Sequence, residues 1–107
     1  MSSSISESDW RRFKEVHRVL LERFCARTLD EIGAAIRAEG TAHEKYLQIY
    51  KLLQKRDEEI ARAFDDFRRS TATMQLYIMR RMGLLTDEEL KMFSEDTQKT
   101  IRSLESF

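Results

Sequence analysis

The sequence predicts an all-α protein: a long antiparallel two-helix hairpin with two short helices at its C-terminal end. Three observations carry that reading. The 107 residues include no proline and three glycines, too little punctuation for an all-β or α/β chain. Hydrophobic residues at 41% stand beside charged ones at 36%, the profile of helices with one buried and one solvated face. Thr41-Ala42-His43-Glu44 opens a stretch that meets neither breaker until Gly83. A threonine N-cap with glutamate three positions on is a capping box.

Taken in order, residues 1–8, with their serine-rich opening, read as a flexible tail. Residues 9–107 form a single domain. Its first helix is placed at 9–39, with Ser8 or Asp9 as N-cap. Trp10, Phe13, His17, Leu20 and Phe24 keep a 3/4 spacing and make one apolar stripe, while Leu21, Cys25, Thr28, Ile32 and Ile36 make a second on a neighbouring face. Gly33, inside that second stripe, costs about 1 kcal/mol against alanine and marks a close approach or a bend.

The second helix is placed at 42–82, between Gly40 and Gly83. Tyr46, Tyr50, Leu53, Asp57, Ile60, Phe64, Phe67, Thr71, Met74 and Ile78 are spaced 4 and 3 alternately, a heptad seam. Ser70-Thr71-Ala72-Thr73 is where this helix can bend, since hydroxyls there can bond back to helix carbonyls. Thr86 and Glu89 form a second capping box, with Leu85 and Leu90 as a hydrophobic staple, and open a helix at 87–93. Ser94 caps the last helix, 95–105, which carries Ile101 and Leu104.

In a hairpin turning near Gly40, Phe24 falls level with Asp57 and nothing in the first helix reaches Met82. Yet Met74 to Leu85 is apolar nearly all round, so that end must be covered. Either the C-terminal helices or a second copy can cover it, and two hairpins can dimerise into a four-helix bundle. Tyr50, Phe64, Phe67, Met74, Tyr77 and Ile78 are the expected packing or interface residues.

Asp57 interrupts the seam with a charge, and a buried lone carboxylate is costly. Arg23 and Arg27 fall within about a turn of it, and the expected solution is a buried ion pair with Arg27, whose role is to fix register; lining a ligand pocket is the functional alternative, and simple exposure the remaining one. Arg68, Arg69, Arg80 and Arg81 supply the basic doublets of the long helix and are candidate phosphate contacts. Solvation of the helix outweighs that use. His17 and His43 lack the glutamate three residues before them that a di-iron bundle requires. Cys25 reads as a packed thiol rather than a nucleophile. Asp57-Glu58-Glu59 and Asp65-Asp66 read as a salt-bridge ladder with Arg56, Arg62, Arg68 and Arg69 rather than a magnesium site. No metal or cofactor is expected, and no phosphate-binding or nucleophile-elbow motif is present.

The 19 basic and 19 acidic residues cancel, so no global field draws the chain to nucleic acid or an anionic membrane. No apolar run reaches the ~18 residues of a membrane span, and the opening does not have the pattern of a secretion signal. The expected location is the cytoplasm.

The segments His43-Glu44-Lys45-Tyr46-Leu47, Arg56-Asp57-Glu58-Glu59, Ala63 to Ser70 and Leu85 to Leu90 resemble those of a group of small, uncharacterised, all-helical bacterial proteins. Some of that group carry a release-factor label. The resemblance implies no mechanism, because the Gly-Gly-Gln tripeptide of a true release factor is absent here.

The expected function is a non-enzymatic helical interaction module that self-associates as a homodimer, with an unidentified protein partner as a further possibility. The alternatives are a nucleic-acid or ribosome-associated adaptor using the four arginines, and a small ligand-binding bundle around Asp57.

Overall fold

The computed structural model describes residues 5–107 and is all-helical, with 81% helix and no strand among the described residues. Residues 1–4 of the expected tail lie outside that range. Those that follow are built into the fold: Ile5 is buried, and the Ser6 side chain accepts from the Asp9 backbone N–H as the N-cap of α1 (Glu7–Arg37). Glu7 and Asp9 in the first turn complement the positive end of the helix dipole.

Gly40, with φ 139°, turns the chain, and the Thr41 capping box starts α2 (Ala42–Ile60). Glu44 N–H donates to Thr41 Oγ1 at 3.1 Å, and Thr41 N–H to Glu44 Oε1 at 3.0 Å. Lys45 Nζ donates to the Ile36 carbonyl at 2.9 Å, tying the start of α2 to the end of α1. Further along, Arg56 reaches Glu31 of α1 at 2.7 Å. We refer to α1 from Thr28 onward together with α2 as the arm.

The expected helix at 42–82 is interrupted. It stops as α-helix at Ile60, widens into a π-turn at Ala61–Asp65, and breaks at Asp66 (φ −88°, ψ 66°) and the extended Arg68. A 3₁₀ turn at Arg69–Thr71 then leads into α3 (Ala72–Arg81). Hydroxyl bonding drives the break, a few residues earlier than the Ser70–Thr73 bend point: Thr71 Oγ1 donates to the Asp66 carbonyl at 2.5 Å, and Arg68 pairs with Asp66 at 2.7 Å. Carbonyls released from the helix ladder thereby find partners.

Past α3, Gly83 takes φ 72°, and Leu84 N–H donates to the Met79 carbonyl, a Schellman-type close. The second capping box opens α4, which spans Asp87–Leu90 rather than running to Phe93. α5 occupies Glu95–Glu105 with Ser94 as its cap, as its sequence indicates.

The break folds α3 back beside α1 and lets α4 and α5 close over it. Phe13, Val16, Leu20 and Phe24 of α1 pack in one core with Phe64, Leu76, Met79, Leu84, Leu85, Leu90, Phe93 and Ile101. The apolar Met74–Leu85 segment is thus covered largely by the chain's own C-terminal helices, although Met74 remains half-exposed. The result is a packed head from which the arm projects, with overall extents of 55 × 27 × 23 Å.

Candidate functional site

Two polar clamps hold the head. Asp9, only 3% exposed, does not cap its own helix but accepts from Ser94 N–H at 2.9 Å, Ser94 Oγ at 2.6 Å and Thr97 Oγ1 at 2.6 Å, at the start of α5. Burial pushes its pKa up, but the bonds from the Ser94 hydroxyl, Thr97, the Ser94 amide and Ser6 together outweigh that and hold the carboxyl below its ordinary value. Arg23 makes a two-toothed pair with Glu89 at 2.8 and 3.0 Å and donates to the Leu84 carbonyl at 2.6 Å. The Arg23 guanidinium is the main cause holding Glu89 below its usual range.

At the break, His17 Nε2 donates to the Phe64 carbonyl at 3.1 Å and its ring stacks on Phe67 with centroids 4.4 Å apart. Trp10, Phe13, Phe64 and Phe67 complete the aromatic cluster. His17 is therefore a fastening for the break. Among the described residues, no group of three His, Cys, Asp or Glu is placed to hold a metal ion.

The sequence-predicted site residues fall into three sets. Phe64 is buried, and Tyr77 and Ile78 are half-buried, in the head, whereas Tyr50, Phe67 and Met74 are 42–53% exposed. The expected buried pair of Asp57 and Arg27 does not form: Asp57 is exposed, and Arg27 donates to the Gly83 carbonyl at 3.1 Å. The reason is a turn of the helix by one residue. Arg56, not Asp57, points toward α1, and it is held between Glu31 at 2.7 Å and Glu59 at 2.5 Å. Of the candidate phosphate contacts, Arg68 pairs with Asp66, Arg69 with Glu7, and Arg80 with Asp87 and Glu105. Arg81 lies against Tyr77, its guanidinium 6.0 Å from the ring centre. The four do not converge on a shared anion site. Sequence reasoning passed over a further basic group on α1, Arg11, Arg12, Lys14 and Arg18, which flanks Glu15 along one solvated face.

What distinguishes the arm is that α2, 19 residues long, contains no buried residue. Its side toward α1 is lined by Lys45, Ile49, Leu52, Arg56 and Ile60, all only partly covered. A groove along one side of the arm is lined by Glu31, Ala34 and Ala35 of α1, by Ala38 just after it, and by Gln48, Lys51, Leu52 and Lys55 of α2. At about 100° per residue, most of the remaining apolar residues turn to the other side, with Leu47 at the edge between the two. Leu29 and Ile36 of α1 are 66% and 56% exposed there, beside Tyr46, Tyr50 and Leu53 of α2 at 66%, 53% and 45%. Ile32 and Ile49 fill in between them, half-covered. The arm thus carries a groove of mixed lining on one side and a cluster of exposed apolar residues on the other, and the latter is the candidate functional site. Comparison with protein-family models, curated proteins and solved structures finds no match.

Proposed function

We propose that the chain is a non-enzymatic helical interaction module that pairs with a second copy of itself through the apolar side of the arm. The observation that carries this reading is that the most regular apolar repeat of α2, Tyr46, Tyr50 and Leu53, faces away from the chain's own core. Isolated helices gain little from propensity alone and depend on packing of an apolar face. A face of this size without cover is the signature of an association site.

Stacking two such sides face to face completes a four-helix bundle, each arm giving the other the layer it lacks. The contact is about 20 Å long and about 20 Å wide, two helix diameters. That is a small footprint beside the ~800 Å² per partner of standard interfaces, so a dissociation constant in the micromolar range, about −8 kcal/mol, is expected. The adaptor reading draws no support from Arg68, Arg69 and Arg80, each engaged in an ion pair, with Arg81 laid against Tyr77, nor the ligand-bundle reading from an exposed Asp57.

Sedimentation equilibrium of two single variants tests the proposal. Leu53→Lys places a charge on the apolar side and should leave a monomer, whereas Lys51→Glu, on the groove side, should self-associate like the parent. Equal behaviour of the two variants would remove the arm as the contact surface.

A further inference from the structure

We propose that the break between α2 and α3 is a hinge: straightened into one helix, it passes the segment α3–α5 to α1 of a second copy, and the two copies close as a dimer by exchanging that segment. This association needs no contact between the arms.

The sequence across the break is that of a helix. Ile60, Phe64, Phe67, Thr71, Met74 and Ile78 keep steps of 4 and 3 through it, with no glycine or proline between Thr41 and Met82. The backbone leaves the helical region at Asp66 (φ −88°, ψ 66°) and Arg68 (φ −138°, ψ 155°). Among the described residues none but glycine takes a positive φ, so the break is not held by a left-handed turn. Straightening also exchanges bonds like for like. The Phe64 carbonyl accepts from His17, and the Asp66 carbonyl from the Arg68 amide and the Thr71 hydroxyl. In a straight helix both return to the amides four residues on, those of Arg68 and Ser70. Arg62–Asp66 and Asp65–Arg69 then stand at i, i+4 and replace the Arg68–Asp66 and Arg69–Glu7 pairs.

What keeps the chain bent is therefore the head rather than the break itself. Phe13, Val16, Leu20 and Phe24 of α1 are 0–6% exposed in the core they share with α3–α5. An open monomer bares them, and the surface shaped to cover them is the same segment of another copy. The polar clamps cross the hinge in the same sense. Asp9 to Ser94 and Thr97, and Arg23 to Glu89 and the Leu84 carbonyl, each join a residue before the hinge to residues after it. All of them re-form between two copies, which is the condition for exchange of an identical element. Because this core must first come apart, exchange is slow at rest and sets in when a concentrated solution is warmed.

The test uses Leu53→Lys as its background, so that pairing through the arm is absent. The chain is warmed at high concentration to just below its melting point, cooled and diluted, and its mass is read by light scattering. The expected product is a dimer that does not dissociate on dilution. Arg69→Pro should leave only monomer. Position 69 opens the 3₁₀ turn after the extended Arg68, where the bent form tolerates proline, whereas inside a straight helix proline removes a ladder bond and breaks the helix. Arg69→Ala loses the same side-chain bonds to Ile5 and Glu7 and should still exchange. Thr71→Ala removes the hydroxyl that holds the bent Asp66 carbonyl and should raise the dimer yield several-fold.

Arg23→Glu and Glu89→Arg, made in separate chains, identify the exchanged segment. Each alone sets like charges across its own head. Warmed together, they regain an opposite-charge pair in both heads only where α1 of one chain receives α4 of the other, so the mixture should give a one-to-one dimer in several-fold higher yield than either variant alone. A mixture that stays monomeric, or a dimer that forms equally in Arg69→Pro, overturns the exchange and leaves the reading of the arm untouched.

Discussion

Replacing Asp9 by alanine removes the carboxylate that joins the first helix to the last. Three donors converge on it, the Ser94 amide at 2.9 Å and the hydroxyls of Ser94 and Thr97 at 2.6 Å each. Thr97 is 5% exposed, so its hydroxyl loses its acceptor where water does not replace it, at a cost of about 1–3 kcal/mol. Ser94 is exposed, and water restores part of what its two groups lose. With the amide and hydroxyl bonds of Ser94 lost as well, the expected total is about 2–3 kcal/mol. For a domain of this size each kcal/mol moves Tm by ~4–8 °C, so the variant should melt roughly 10–20 °C lower. Urea denaturation followed by circular dichroism at pH 7 measures it directly.

The pH dependence gives the sign an independent check. Asp9 has its folded pKa lowered. Its stabilisation is therefore fully present above the unfolded carboxylate value of about 3.9 and is lost as pH falls through the lower folded value. The gap between parent and Asp9→Ala should be constant from pH 5 to 7 and shrink only below about pH 4. A gap under about 0.5 kcal/mol at pH 7, the range of an ordinary surface substitution, would refute the clamp.

Three further predictions follow from the head and the arm. Arg23→Ala strands the Glu89 carboxylate and the Leu84 carbonyl, and should cost about 2–3 kcal/mol by the same urea measurement; no loss would show that the pair is only a surface contact. Gln75 is 3% exposed with neither side-chain atom hydrogen-bonded, so Gln75→Met should raise the urea midpoint by the equivalent of about 1 kcal/mol, and a lower midpoint would mean that the amide has an essential partner. Gly33→Ala should stabilise the chain by up to about 1 kcal/mol in thermal melts, since an added Cβ meets only the flexible end of the Arg37 side chain; a lower Tm would mean that α1 needs glycine at this point.

Both capping boxes, the limits of α5 and the need to cover the Met74–Leu85 segment were legible in the sequence because each rests on local chemistry. The break at Asp66 was harder to read: it contains no proline or glycine, and Phe64 and Phe67 keep their heptad spacing across it. They do so because both rings join the same aromatic cluster around His17. Asp57 was misplaced for a related reason. The most regular repeat on α2 was assigned to the contact with α1, whereas that contact is made by Ile49, Leu52 and Arg56, whose long stems bury in part. Asp9 left no local signal at all, since its partners lie 85 and 88 residues away.

The most direct test of self-association through the arm is the mass of the parent chain by light scattering across a dilution series. A mass that rises from 12.7 kDa toward twice that value through the micromolar range, and does not rise for Leu53→Lys, is the expected result. A mass that stays at 12.7 kDa up to millimolar concentration, about −4 kcal/mol of affinity, would contradict it.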